Sequence, residues 1–305
     1  MKENYKKFID PNIKRKSHII QNSLQYDQNS KTPLFSLVEI SDSGTCNRAC
    51  SFCPRSNKEW IDKFDNKEFI DPNLHESIVS QLKDLNYNGI VVYSGFNEPL
   101  LNKNIYKNIA QTRSYLPGAK LELITNGDVL NEKRLLKLFA SGLSTILISV
   151  YDGPEDMVKF ENMCKNVNLE KDQYVIRKRY LPPEKNFGIT MSNRGGLMEK
   201  AEHVVPSLEK SLKSPCYYPS YTLFIDYNGD VLMCSHDWGK KNILGNLKKE
   251  KIMDVWLSDN AMKSRKNLSN GDRGFSPCDV CDAGGTLIGE NHVQAWKNID
   301  TSAVE

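Results

Sequence analysis

Cys46, Cys50 and Cys53 stand at offsets of four and three residues in the segment SGTCNRACSFCPRS. Three thiolates so spaced wrap one face of a 4Fe–4S cube and leave one iron without a protein ligand. An open iron is a coordination site for a substrate or cofactor. Zinc is the competing reading, but a structural zinc wants four ligands. No histidine lies in this loop to supply the fourth, and His75 falls in a helical stretch.

Cys216, Cys234, Cys278 and Cys281 form a second set near the other end of the chain. Four thiolates complete an iron–sulfur cluster or bind zinc, so the donor chemistry alone leaves both open. A zinc ribbon usually shows two CxxC knuckles, and only Cys278 to Cys281 has that spacing. Cys164 stands alone in a helical stretch and reads as a buried core thiol. In a reducing compartment, close cysteine spacings favour metal over disulfides.

The elements that position these cysteines alternate between strand and helix. Residues 1–33 are polar and lack clear periodicity, which predicts a loosely ordered N-terminal extension draped over the body. Leu34 to Ile40 reads as the first strand and ends at the first cysteine loop. Asp71-Pro72 caps a helix whose face carries Leu74, Ile78, Leu82 and Leu85. Further strands are predicted at 89–93, 121–124, 145–150, 174–178 and 187–191, with helices between. Asn131 caps one of these helices, and Gly142 ends it.

The fold class is therefore α/β: repeated βα units build a parallel sheet, and six strands make a partial (β/α)6 barrel over residues 34–214. From residue 215 to 305 the pattern changes to a hairpin around Asn228-Gly229 and a short helix at 252–257. This tail holds the second cysteine set. Tyr217, Tyr218, Tyr221, Trp238 and Trp256 read as packing residues, and His236 and Asp237 as neighbours of the tail cysteines.

The chain has 305 residues, 39% hydrophobic and 26% charged, with net charge +3. That balance predicts a globular protein and gives no electrostatic reason for a nucleic-acid or membrane partner. No apolar run is long enough to span a bilayer, and the N-terminus lacks the apolar core of a signal peptide. The expected location is cytoplasmic.

On Cys46, Cys50 and Cys53 the chain resembles the radical S-adenosylmethionine (SAM) superfamily. The resemblance implies that SAM chelates the open iron and is cleaved by one electron to a 5′-deoxyadenosyl radical, which abstracts hydrogen from a substrate. It further implies that Phe52 packs near adenine. Ser94-Gly95-Phe96-Asn97-Glu98-Pro99 resembles the family's GGEP segment at the cofactor's amino group, with Asn97 where glycine is usual. By the same resemblance Gly95, Asn97 and Glu98 bind cofactor, Thr125 and Asn126 face its ribose, and Ser149 lies near its carboxylate.

The cysteines around the hairpin resemble the "twitch" form of the SPASM subfamily, which implies one auxiliary 4Fe–4S cluster on Cys216, Cys234, Cys278 and Cys281. Ser192-Asn193-Arg194-Gly195-Gly196 resembles a segment of an aminocyclitol-oxidising member, which places Arg194 at the substrate. Arginine is a permanent cation with a planar fork of donors, suited to a hydroxyl or carboxylate.

The leading reading is two-electron oxidation of a carbinol in a small polyhydroxylated substrate, an aminocyclitol or sugar derivative. The auxiliary cluster accepts an electron, and flavodoxin or ferredoxin serves as electron donor. Radical epimerisation, with Cys164 returning hydrogen, is a second enzyme reading. Peptide modification is a third, although residues 1–33 are short for a peptide-recognition domain. A non-catalytic iron–sulfur or zinc protein is the remaining class, and the open three-cysteine site argues against it.

Overall fold

The computed structural model describes residues 11–189, 192–198, 207–283 and 288–302. In chain order the elements are α1 (Pro11–Gln21), β1 (Leu37–Ser41), α2 (Lys58–Phe64), α3 (Pro72–Asp84), β2 (Ile90–Tyr93), α4 (Ile105–Tyr115) and β3 (Lys120–Thr125). Then follow α5 (Glu132–Ala140), β4 (Thr145–Val150), α6 (Pro154–Asn166) and β5 (Tyr174–Lys178). The tail contributes α7 (Tyr218–Tyr221), β6 (Thr222–Asp226), β7 (Asp230–Leu232), β8 (Ile243–Asn246), α8 (Ile252–Trp256), α9 (Asp259–Ser269) and α10 (Glu290–Ser302).

All eight strands form one sheet in the order β5-β4-β3-β2-β1-β6-β7-β8. The six from β5 to β6 run parallel, with Val38 opposite Val91 on one side of β1 and Leu223 on the other. Strands β7 and β8 continue it antiparallel. Parallel strands are covered on both faces and read as continuous apolar runs, as in Ile90–Tyr93, where every residue is buried. The main core lies between this sheet and the helices, with Ile78, Ile109, Leu135 and Leu138 fully buried. The caps work as their sequences predict. Asp71 accepts from the main-chain N–H groups of Asn73 and Leu74, and Asn131 from that of Arg134. Each such cap is worth about 1 kcal/mol.

Six parallel strands match the expected number, but the sixth is not the expected one. Residues 183–188 of the chain form a 3-10 stretch instead of entering a strand at Phe187. Phe187 and Gly188 sit at φ +52° and +76°, which an extended strand does not accommodate. A Cβ on Gly188 would meet Lys178 O at 1.9 Å, so only glycine turns here. Thr190 and Met191, the end of that expected strand, lie outside the described residues. Thr222–Asp226 takes the sixth place beside β1, with Phe224 and Ile225 fully buried.

The N-terminal extension also differs from expectation, because Pro11–Gln21 is helical and docked. Arg15 donates to both Glu122 oxygens at 2.6 and 2.8 Å, and Ile20 is buried. Its few apolar residues gave no helical stripe to read.

Candidate active site

The first cysteine loop leaves β1 at its C-terminal end and is tied to the sheet by arginines. Arg55 is buried; it donates to Phe96 O at 2.9 Å and Gly44 O at 3.0 Å and pairs with Asp65. Arg48, between Cys46 and Cys50, donates to Asp128 and Asp152 at 2.8 Å each. Those carboxylates follow β3 and β4, so the loop is clamped to two neighbouring strand ends. Inside it, the Cys53 N–H donates to Cys50 O at 2.9 Å. Burial raises all three thiols, and that of Cys50 is pushed up to about 12 with Cys53 and Cys46 adding to the shift. Crowded, buried thiolates need positive charge, which an iron–sulfur cluster supplies.

A cleft of about 280 Å³ opens beside this loop at the strand C-termini. Cys46, Cys50, Phe52, Cys53, Gly95, Asn97, Glu98, Thr125, Asn126, Ser149 and Arg194 all line it. Every residue expected to hold the first cluster or the cofactor is therefore brought to one place. Glu98 is 2% exposed and accepts from Thr125 Oγ1 and Asn126 N at 2.7 Å each and from Leu100 N at 3.0 Å. Burial pushes its carboxyl up to about 7 despite these donors. Gly95 has φ +111°, and a Cβ there would come within 2.8 Å of Ser41, so the loop needs glycine at this point.

Asn97 stands where glycine is usual, and its side chain has a specific partner set. Its amide donates to the Asp42 carboxylate and to Ser43 Oγ at 3.2 Å. The other Asp42 oxygen accepts from Asn102 at 2.8 Å. Asp42 thus holds both flanks of the Glu98 turn, and burial pushes its carboxyl up to about 7. Asn126 donates to Asn47 at 2.8 Å and lies 3.9 Å from the Cys46 sulfur. Ser149 accepts from Arg177 at 2.6 Å.

The tail cysteines gather into a second group. The Cys234 thiol is raised first by burial and then by Cys216, Cys281 and Cys278, so all four are within electrostatic reach. Burial also raises Cys278, and pushes Cys281 up to about 11. Among the described residues no three His, Cys, Asp or Glu side chains converge tightly enough to hold a single ion. Four cysteine thiolates are a donor set that fits a 4Fe–4S cluster.

The segment Ser192–Gly196 is bonded to this tail. Ser192 Oγ donates to Asp282 at 3.0 Å and contacts His236 Nδ1 at 2.9 Å, while Asn193 Nδ2 donates to Val280 O at 2.7 Å. Arg194 follows at φ +49° and lines the cleft, close enough to Cys53 to oppose the rise of its thiol. Its Nε is buried without a hydrogen-bond partner among the described residues. His236 sits at the tail cysteines as expected, its N–H donating to Cys234 Sγ at 3.3 Å. Burial, with Arg194 nearby, pulls its imidazole down to about 3.

Sequence reasoning missed several lining residues: Glu39, Arg48, Tyr151, Arg177, Arg179 and Ser235. Arg177 and Arg179 alternate at the end of β5, a period-two signal that places both on one face. Glu39 accepts from Ser94 Oγ at 2.5 Å and Tyr218 Oη at 3.2 Å, so Tyr218 reaches the cleft wall as well as packing. Trp238 packs as expected, 4.3 Å from Phe96 between ring centroids, and also lines the cleft. Trp256 and Tyr221 are core residues, and Cys164 is fully buried in the main core.

Comparison with known proteins bears on this arrangement. Residues 40–200 match the model of the radical SAM superfamily, and residues 216–282 match the SPASM iron–sulfur cluster-binding domain. The S-adenosyl-L-methionine-dependent 2-deoxy-scyllo-inosamine dehydrogenase of Niallia circulans is 32% identical over 248 residues, covering 81% of this chain and 92% of that one. The crystal structure of BtrN in complex with AdoMet and 2-DOIA is similar with TM-score 0.68 and 30% identity, over 82% of this chain and 94% of that one. AdoMet-bound anSMEcpe, at 13% identity and TM-score 0.51 over 89% of this chain and 94% of its own, shares the fold.

Proposed function

The chain belongs to the radical SAM superfamily and carries its SPASM domain, and from that premise we propose that it oxidises a carbinol of an aminocyclitol or related amino sugar to the ketone. The observation that supports this most is the single cleft, which joins the three-cysteine loop, the cofactor-binding residues and Arg194 beside the tail. Residues 34–214 supply five of the six parallel strands, and 215–305 supply the sixth together with the tail cysteines.

When bound, SAM and the two clusters supply a 5′-deoxyadenosyl radical that takes the carbinol hydrogen, and a sink for the electron left on the substrate. The chain's own residues do the rest. Cys46, Cys50 and Cys53 hold the first cluster; Cys216, Cys234, Cys278 and Cys281 hold the second. Glu98 accepts from the cofactor's amino group, with Gly95 and Asn97 shaping the turn. Thr125 and Asn126 border the ribose, Ser149 the carboxylate and Phe52 the adenine. Arg194 and Glu39 both line the cleft, a cation and a carboxylate suited to a hydroxyl and an amine. Arg194 stabilises the oxygen as its proton leaves.

Cys164 supports this reading over epimerisation, because a fully buried core thiol outside the cleft lining cannot return hydrogen to a substrate there. The reaction needs a low-potential one-electron donor such as flavodoxin or ferredoxin, and an oxygen-sensitive open cluster fits the reducing cytoplasm. No helix among the described residues is long and apolar enough to cross a membrane. Incubating the anaerobic holoenzyme with SAM, dithionite and a panel of aminocyclitols and amino sugars should yield ketone trapped as an oxime. Equal amounts of 5′-deoxyadenosine and ketone are expected. A panel that yields none, while a peptide substrate is modified, overturns the assignment.

A further inference from the structure

A second cleft, of about 300 Å³, lies between α9 and α10. Among the described residues its lining includes Lys263, Arg265, Lys266 and Lys297 and no Asp or Glu. The lysines are exposed at its rim, whereas Arg265 is 4% exposed and forms part of the wall. The guanidinium lies between two indole rings, 3.7 Å from the Trp256 centroid and 4.5 Å from that of Trp296. It donates to Trp256 O at 2.7 Å, Pro219 O at 3.0 Å and Met262 Sδ at 3.3 Å. Among the described residues its hydrogen-bond partners include no carboxylate. A buried cation without a counter-charge is costly, and an anion seated beside it removes that cost. Burial accordingly pulls the Arg265 guanidinium down to about 9.

The position of this cleft gives it a use. The Leu268 carbonyl, in the last turn of α9, accepts from the Cys216 N–H at 2.9 Å. Ser220, four residues past Cys216, lines the cleft itself. The basic wall therefore meets the Cys216 segment twice, at the last turn of α9 and at Ser220 in α7. Resting on the dehydrogenase reading, oxidation of a carbinol releases two electrons and two protons. One hydrogen atom goes to the 5′-deoxyadenosyl radical and one proton to solvent, which leaves one electron on the tail cluster. That electron must leave before the next turnover.

We propose that the α9–α10 cleft is the docking face for an acidic one-electron carrier protein that reoxidises the tail cluster. A carrier carboxylate sits against Arg265, flanked by Lys263, Lys266 and Lys297. One electron passes to the carrier, which is reduced as the cluster is oxidised. Charge complementarity of this kind governs both encounter rate and salt dependence.

The test is calorimetric titration of anaerobic holoenzyme with an oxidised acidic flavodoxin at low and high salt. The triple variant Lys263→Glu/Lys266→Glu/Lys297→Glu should lose about tenfold or more in affinity and most of the salt dependence. A control with the same charge change on another basic face, Lys103→Glu/Lys133→Glu/Lys137→Glu, should bind as wild type. Both variants should melt as wild type and form 5′-deoxyadenosine with dithionite at the wild-type rate. No binding by wild type, undiminished binding by the cleft variant, or equal loss in the control overturns the proposal. Failure of the dehydrogenase reading shows separately: wild type with dithionite and SAM then forms no ketone from the aminocyclitol and amino-sugar panel.

Discussion

The main-chain N–H of Asn193 donates to Asp282 Oδ1 at 2.8 Å, fastening the turn that bears Arg194 to the loop just past Cys281. The same oxygen accepts from Ser192 Oγ at 3.0 Å. One carboxylate therefore fixes the distance between the cleft's arginine and the tail cysteines. Asp282→Ala removes both bonds and leaves Asn193 and Ser192 without that acceptor, a loss on the order of 1–3 kcal/mol.

Two variants separate the arginine from its support. Arg194→Lys keeps the charge and loses the fork, so kcat should fall by about tenfold or more while SAM affinity is held. Asp282→Ala should lower kcat in the same direction with iron content unchanged. Steady-state kinetics beside iron analysis reads both. An Arg194→Lys enzyme with unchanged kcat removes Arg194 from the substrate.

Affinity for SAM should depend on pH through Glu98. Its carboxyl is raised to about 7, mainly by burial, and an amino group donating to it favours the ionised form. Below about pH 7 binding must first drive off a proton, so the Kd should weaken by about tenfold per pH unit there and level off above it. Calorimetry on the wild type and Glu98→Gln checks this, and the variant should bind weakly with a flatter profile.

The same carboxyls set the pH dependence of the unliganded fold. Asp42 rises from 3.8 to about 7 and Glu98 from 4.5 to about 7. The unfolded chain ionises first, so their contribution is most favourable below the unfolded values and is lost as pH rises towards 7. Asp42→Asn should therefore flatten the fall in melting temperature between about pH 4 and 7.

Metal content tests the two cysteine sets independently. The reconstituted wild type should hold about eight irons, and Cys46→Ala/Cys50→Ala/Cys53→Ala about four. Mössbauer spectra should show two cubanes in the first and one in the second. Zinc in place of the tail cluster, in protein purified without oxygen, would contradict the electron-sink role.

Much of this site was legible because its chemistry is written in short spacings. The cysteine loop carries a local signal, whereas Glu98, Thr125 and Ser149 were reached through the resemblance to the radical SAM superfamily, and the fold brings them to the same cleft. The sheet was legible up to β5 through apolar runs such as Ile90–Tyr93. What stayed hidden depends on contacts across the chain. Thr222–Asp226 looks like one arm of a hairpin, and only packing against Leu37–Ser41 makes it the sixth parallel strand. Glu39 is a single carboxylate within an apolar strand, and nothing nearby in sequence reveals that Ser94 and Tyr218 hold it at the cleft. Arg177 and Arg179 stand at the polar end of β5, and only the fold brings Arg177 to Ser149.

Cys164→Ala should leave turnover unchanged and cost stability by about 1–2 kcal/mol, because a fully buried thiol contributes packing alone. Chemical denaturation and product assays read the two effects separately.

Isotope transfer tests the central claim most directly. With deuterium at the carbon to be oxidised, the enzyme should place one deuterium in 5′-deoxyadenosine for each ketone formed, and no solvent deuterium should enter the product. An epimerised product carrying one deuterium from heavy water, without ketone, would contradict the dehydrogenase account.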